Sequence, residues 1–386
     1  MEKNQIYLDN AATTKVNEKV AKIVYDSFLN NYGNPSSLHE LGKQARDKIE
    51  SARKKLAEFI NAEPEEIIFT SGGTESNNLI LTGLAIHPEN ENKKHIITAK
   101  FEHPSILETC KQLEKWGYKI DYLEINKEGF INPEQVKEKL TPNTLLVSIM
   151  HVNNEIGTIQ NLEEIGKICK KANIYFHSDC VQSFGKIPID VKKLNLTSIS
   201  ISGHKINAPK GIGFLYLKNN TKISPIINGG GQEHNLRSGT ENTPNIIGLA
   251  EAINQSKNKD VKAIEKIRDY IIKEIITIPG AILNGSQSNR IYNNINFSFY
   301  GIEGESLVLL LDKQGIYAST GSACSSQKLQ ESHVLKALKI PPLYIHGSLR
   351  LTLDPIKPLT KQQADYIIKN IKQAVDKLKK LSPFKI

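Results

Sequence analysis

The chain has 386 residues, enough for two or three domains and a large buried core. With 39% hydrophobic and 24% charged residues it lies in the globular range, which excludes a disordered tail protein. The net charge of +9 invites a nucleic-acid reading, but residues 357–385 alone carry eight Lys against two Asp on a helical pattern without Arg and without aromatics alternating with the lysines, Tyr366 being the one aromatic in the helical run. That reads as a solvated helix face or a docking surface for an acidic protein, with no direct nucleic-acid contact expected.

In chain order, the first residues carry an acid and no apolar stretch, so no signal peptide is expected and the protein is read as cytoplasmic. The apolar run at 307–311 is far short of the roughly 20 residues a membrane helix needs, so no membrane association is expected. Ala45, Ile49, Ala52, Leu56 and Phe59 mark one face of a helix. Strands are then predicted at 67–69, 95–98, 120–125, 145–150, 175–179, 198–202 and 213–217. Helices fall between several of them, beginning near Glu75, Pro104, Pro133 and residue 162. Strands separated by helices predict a largely parallel sheet covered on both faces. After about residue 256 the pattern changes to a Lys/Ile-rich helix reaching about 278. Strands at 295–299 and 348–353 and helices at 304–313 and 360–381 then predict a second, smaller α/β group. In the last helix Ala364, Ile368, Ile371, Val375 and Leu378 repeat at helical spacing.

The four cysteines, Cys110, Cys169, Cys180 and Cys324, include no CxxC pair, and the ten histidines show no HExxH spacing. Neither a disulfide framework nor a metal site is expected. Lys205 ends Ser202-Gly-His-Lys205, just after a predicted strand; a desolvated lysine there can form an imine. Upstream, Asp179 also ends a strand, where a carboxylate can hold the protonated pyridine nitrogen of pyridoxal phosphate, or simply cap a helix. Between a strand and a helix, Thr70-Ser-Gly-Gly-Thr74 offers hydroxyls and glycines at a helix N-terminus, either an anion site or ordinary capping by Thr74 with Asn77 and Asn78 following.

Taken in order, Tyr7-Leu-Asp-Asn-Ala-Ala-Thr-Thr14, Tyr32-Gly-Asn-Pro-Ser-Ser37, Glu102-His-Pro-Ser105, His151-Val-Asn-Asn-Glu-Ile-Gly157, Ser202-Gly-His-Lys205, Arg237-Ser-Gly-Thr240 and Thr320-Gly-Ser-Ala-Cys324 resemble the cysteine desulfurases of the NifS/IscS group. The resemblance spans about residues 6–383. It implies an α/β fold of the fold type I pyridoxal-phosphate enzymes: a large domain (15–256) with a mainly parallel seven-stranded sheet, and a smaller C-terminal α/β domain (1–14 with 257–386). It also implies a homodimer. By resemblance Lys205 is the Schiff-base lysine, Asp179 the partner of the pyridine nitrogen, Gln182 the donor to the phenolate oxygen, and His103 the histidine that stacks on the ring and assists proton transfer. Gly73, Thr74, Ser202 and His204 correspond to the phosphate site, with Thr240 supplied by the other subunit. Asn154, beside the cofactor, and Arg350 correspond to the pair that holds the substrate carboxylate.

Cys324 corresponds to the nucleophile. Its neighbourhood of small polar residues reads as a mobile surface loop, about 319–333, suited to a thiolate that meets substrate and then an outside acceptor. Cys110 and Cys169 lie in helical patterns and read as packing residues, and Cys180 as volume filling. The sequence departs from the family where Gly73 replaces a common alanine, where Asn228 replaces a common histidine, and where Pro355 replaces a common arginine. It also ends at Ile386, without the extension by which IscS-type members dock a scaffold. The implied activity is removal of sulfur from L-cysteine, giving L-alanine and a Cys324 persulfide. The sulfur would pass to an acceptor protein such as an iron–sulfur scaffold, or toward tRNA thiolation. A selenocysteine lyase or another class V pyridoxal-phosphate transferase is the alternative, and a non-catalytic scaffold of the same fold the second.

Overall fold

The computed structural model describes residues 5–321 and 331–384. Twelve strands are formed among them: β1 Ile6–Tyr7, β2 Ile67–Thr70, β3 His95–Ala99, β4 Lys119–Leu123, β5 Thr144–Ser148, β6 Tyr175–Asp179, β7 Ser198–Ser202, β8 Gly213–Leu217, β9 Ala281–Leu283, β10 Asn294–Phe299, β11 Ile316–Tyr317 and β12 Ser348–Thr352. Seven of them make one sheet in the order β2-β8-β7-β6-β5-β3-β4. The pairings among β7, β6, β5, β3 and β4 are parallel, whereas β8 runs antiparallel to both β2 and β7.

Alternate residues of these strands feed two different cores, as the pleat requires. Ile67, Phe69, Ile97, Phe214 and Tyr216 join the cluster that holds Leu56, Phe176 and Phe184. Ile68, Ile96, Leu215 and Leu217 join the opposite cluster with Leu79, Leu84 and Ile106. Both faces are covered, which is why these strands read as near-continuous apolar runs. A third core packs Phe297, Phe299, Leu349 and Leu351 of the antiparallel sheet β12-β10-β9 against the helices Val261–Ile275 and Lys361–Leu381. Ile6 and Leu8, from the other end of the chain, belong to it too, because β1 pairs in parallel with β11.

Helix boundaries follow local chemistry. Pro104 and Pro133 each open a helix, with His103 and Asn132 as the caps. Thr360 and Gln363 form a capping box on the last helix, whose buried stripe holds Ala364, Ile368, Ile371 and Val375. The helix Thr243–Ser256 stops before Asp260, which caps the next one by accepting from Ala263 N at 3.0 Å. Thr74 is not a cap: the helix Gly73–Ile86 starts after Gly72, whose φ of +151° excludes most side chains and leaves no side-chain cap. Among the described residues no helix is long and apolar enough to cross a membrane.

Candidate active site

The strands β2, β3, β5, β6 and β7 all end at the same edge of the large sheet, the edge where open α/β sheets bind ligands. β6 delivers Asp179 there, 5% exposed. Its Oδ2 accepts from Asn77 Nδ2 at 2.8 Å and its Oδ1 from Val181 N at 3.0 Å, so two donors fix the carboxylate. Next to it β7 runs into the short turn Gly203–Lys205. The Lys205 amine donates to the carbonyls of Ala11 and Ala12, both at 2.6 Å, which draws the N-terminal segment over the strand ends. His204 approaches Thr13 through Nδ1 at 3.1 Å; burial first, then Lys205, Lys210 and Lys186, pushes its pKa down to about 4. It is therefore neutral at physiological pH.

β2 leads into the anion-binding geometry. The helix Gly73–Ile86 opens on two buried glycines that face Ser202: a Cβ on Gly72 would lie 3.3 Å from Ser202 Oγ. Gly73 has no room for a larger residue either, because its Cβ would meet Val181 Cγ2 at 2.6 Å. Thr74, in the first turn, is exposed. Ser71 N and Phe69 N are already taken by Glu75 Oε2 (2.9 Å) and Glu233 Oε2 (2.7 Å). Glu233 is also gripped by the two terminal nitrogens of buried Arg53 at 2.8 Å each, and Glu75 by Arg237 at 2.8 Å. These pairs hold a loop in which Glu233, His234 and Asn235 all adopt positive φ, strain that the ion pairs offset. The loop continues to Thr240, exposed on its own chain.

Across the cleft His103 caps the helix Pro104–Lys115: its Nδ1 accepts from Ser105 N at 3.1 Å, which leaves the neutral ring's hydrogen on Nε2. Burial lowers its pKa; Asp179 opposes that effect, and Lys205 and His333 reinforce it. Arg350, on β12 and 3% exposed, donates from Nη2 to Asp9 Oδ1 at 2.8 Å and from Nη1 to the carbonyl of Asn154 at 3.1 Å. Its Nε is buried without a partner among the described residues. Arg350 also pairs backbone to backbone with Ser319, at 2.7 and 3.3 Å, so residue 319, five positions before Cys324 in sequence, is paired with β12. Cys324 itself lies outside the described residues. Cys110, Cys169 and Cys180 are buried, and burial raises each thiol to about 12, far from a thiolate.

These residues fit pyridoxal phosphate on their own chemistry. A glycine-lined helix N-terminus facing a hydroxyl suits the phosphate, a carboxylate with two fixed donors suits the ring nitrogen, and Lys205 stands at the end of the neighbouring strand. Arg350 keeps an unused buried donor for a carboxylate.

Residues 6–353 match the family model of class-V aminotransferases. A cysteine desulfurase IscS from Dictyoglomus turgidum is 47% identical over 387 residues, covering 99% of this chain and 98% of that one. The chain belongs to the class-V aminotransferase family. Among solved structures, a NifS-like protein superimposes with a TM-score of 0.90 at 36% identity, covering 97% of this chain and all of the other. The structure of SspA in complex with cysteine gives a TM-score of 0.82 at 36% identity, over 91% of this chain and 99% of that one. The class-V fold here is the fold type I architecture of pyridoxal-phosphate enzymes, and pyridoxal phosphate is the family's cofactor.

Several residues of the site were not singled out from sequence as part of it. Asn77, which grips Asp179, reads in sequence as a first-turn capping residue; its place on the buried face of the helix is the signal that separates the two. Asp9 on Arg350 and the Ala11 carbonyl on Lys205 lie in a recognised motif, but only the fold shows their partners. Glu102, fully buried beside His103, accepts from Met150 N at 2.7 Å, and burial first, with Asp179 adding, holds its pKa well above the usual carboxylate range.

Proposed function

We propose that the chain is a cysteine desulfurase that takes sulfur from L-cysteine, releases L-alanine and carries the sulfur as a persulfide on Cys324. The observation that carries this reading is that Lys205 and the doubly held Asp179 share one end of the large sheet while the N-terminal segment that covers Lys205 also binds the partly unpartnered Arg350 of the smaller sheet, in a chain close to a cysteine desulfurase. Bound pyridoxal phosphate supplies an electron sink for the carbon framework of the amino acid. Lys205 is its attachment point, Asp179 keeps the ring nitrogen protonated, and Gln182 donates to the phenolate oxygen. Gly73, Thr74, Ser202 and His204 receive the phosphate, and Thr240 serves the site of a second copy in a homodimer. Arg350 and Asn154 hold the substrate carboxylate. His103, neutral and donating from Nε2, passes protons at the substrate. The Cys324 thiolate attacks the substrate sulfur; an S–S bond forms as the C–S bond breaks, and its electron pair leaves with the carbon framework, which is protonated to alanine. The burial of the other three cysteines supports Cys324 as the nucleophile.

The same reading has residues 15–256 and the remainder of the chain working as two domains. It places the enzyme in the cytoplasm, where the persulfide passes to an acceptor protein such as an iron–sulfur scaffold or toward tRNA thiolation. The test is a cysteine pulse followed by mass spectrometry. One added sulfur is expected on the Cys324 peptide, with an equivalent of alanine. Cys324→Ser should keep a near-normal cofactor spectrum while turnover falls by orders of magnitude, since a serine hydroxyl is a poor nucleophile toward sulfur. Added sulfur on another cysteine, or a fully active serine variant, would overturn the assignment.

A further inference from the structure

Gln182 is 7% exposed, and its amide makes two hydrogen bonds of opposite sense. Nε2 donates to the Ala11 carbonyl at 3.0 Å, and Oε1 accepts from Lys186 Nζ at 3.1 Å. The Ala11 carbonyl also receives the Lys205 amine at 2.6 Å. A chain therefore runs from Lys186 through Gln182 and Ala11 to Lys205. Lys186 is 3% exposed, on the turn that follows Asp179, and a lysine so deeply buried requires an acceptor. Burial first, with Lys205 adding, lowers the Lys186 amine to about 7, and in its protonated form it can only donate, whereas an amide can present either end.

We propose that Lys186 is a positioning residue that fixes the orientation of the Gln182 amide, so that its N–H groups, and not its oxygen, face the cofactor's phenolate oxygen and the Ala11 carbonyl. With Lys186 present, a flipped amide would set its NH2 group against the lysine and its oxygen against the Ala11 carbonyl, losing both bonds and creating two repulsive contacts. Without Lys186, only the Ala11 carbonyl still favours one orientation, so the flipped amide becomes more populated and the phenolate oxygen loses its donor part of the time. Lys186 touches neither cofactor nor substrate in this account; it acts through Gln182. The inference rests on the reading of this site as a pyridoxal-phosphate site with Gln182 at the phenolate oxygen.

The experiment compares wild type, Lys186→Met, Gln182→Leu and the double variant, each stripped of cofactor and titrated with pyridoxal phosphate. Methionine retains the length and apolar stem of lysine without its donor. Lys186→Met is expected to weaken cofactor binding by about tenfold, the equivalent of one directed hydrogen bond, and to displace the visible band of the bound cofactor. In the Gln182→Leu background the same change should cost less than about twofold and leave the band where Gln182→Leu put it, because no amide remains to orient. Additive losses in the double variant would overturn the proposal, since they would make Lys186 a residue that acts independently of Gln182. So would a Lys186→Met protein with wild-type affinity and spectrum. A wild-type protein that binds no pyridoxal phosphate would instead refute the cofactor reading, a separate outcome visible before any variant is compared. If Lys186→Met does not fold, Lys186→Gln serves instead: its amide can present either end to Gln182 and so fixes neither orientation, and affinity should again fall several-fold; wild-type affinity and spectrum there would overturn the proposal.

Discussion

Gly73→Ala tests the steric logic of the phosphate end of the site. The added methyl would lie 2.6 Å from Val181 Cγ2, well inside contact distance, and 3.6 Å from Ser202 Cβ, which is ordinary packing. Alanine in a helix gains about 0.5–1 kcal/mol over glycine. Overpacking a rigid site costs about 1–3 kcal/mol. The clash wins, and the expected net loss is about 1–2 kcal/mol, because the N–H bond to Asp179 Oδ1 at 3.0 Å holds the Val181 backbone in place and a β-branched side chain has little χ1 freedom to turn its methyl away. The damage should therefore appear in cofactor affinity, as a weakening on the order of tenfold, measured by titrating the stripped enzyme with pyridoxal phosphate. Val181→Ala removes the opposing methyl, so the double variant should recover wild-type affinity and exceed wild-type thermal stability by the helix-propensity gain. A Gly73→Ala enzyme with unchanged affinity, or a double variant no better than the single, would refute the reasoning.

Asp179→Asn keeps the shape but offers only one acceptor atom where Asn77 and Val181 now use two, so cofactor retention and turnover should both fall; unchanged turnover would identify another carboxylate as the partner of the ring nitrogen. Burial lowers His177 to about 3 and His151 to about 4 from an ordinary 6.5, so the unfolded chain binds more protons and stability falls as pH drops below 6.5, by about 1.4 kcal/mol per unit for each residue until its own lowered value is reached. His177→Gln, which can still bond Ser148 and Ser200, should make the acid unfolding profile shallower, and an unchanged slope would count against a neutral buried His177. If Thr240 serves a second copy, mixing Lys205→Ala and Thr240→Ala subunits should restore partial activity, because one site of the mixed dimer then carries neither lesion; no recovery after confirmed subunit exchange would count against shared sites.

The large sheet was legible because strands buried on both faces leave continuous apolar runs that end in chemically distinctive residues, Asp179 and Lys205 among them. The direction of β8 was not. Gly213–Leu217 is apolar on both faces, and neither periodicity nor composition separates a parallel from an antiparallel neighbour there. Two-residue strands such as Ile6–Tyr7 and Ile316–Tyr317 are too short to leave any period, and their pairing spans nearly the whole chain. The helix expected from near Glu75 starts at Gly73, after Gly72, because a glycine cap depends on backbone conformation, which residue type alone does not encode. In the site, motifs singled out candidate residues but not what supports them. Asn77, Asp9 and Lys186 act through contacts 102, 341 and four residues away along the chain, and the first two of those are beyond any local pattern.

The arrangement also explains how one chain can use a reactive thiol without endangering its others. Sulfur transfer through a persulfide demands a thiolate that reaches both substrate and acceptor, and any second accessible thiolate would intercept the sulfur. Burial raises Cys110, Cys169 and Cys180 to about 12, so none competes at neutral pH. The remaining thiol, Cys324, follows in sequence a segment in which Ser319 pairs backbone to backbone with Arg350. Arg350 in turn is tied to Asp9 and to the Asn154 carbonyl, and Asp9 belongs to the same N-terminal segment that covers Lys205. In the proposed reaction, recognition of the substrate carboxylate, the start of the nucleophile's segment and the cover over the reactive lysine would thus share one support. A change at Asp9 should disturb all three together, whereas a change at Asp179 should reach only the cofactor.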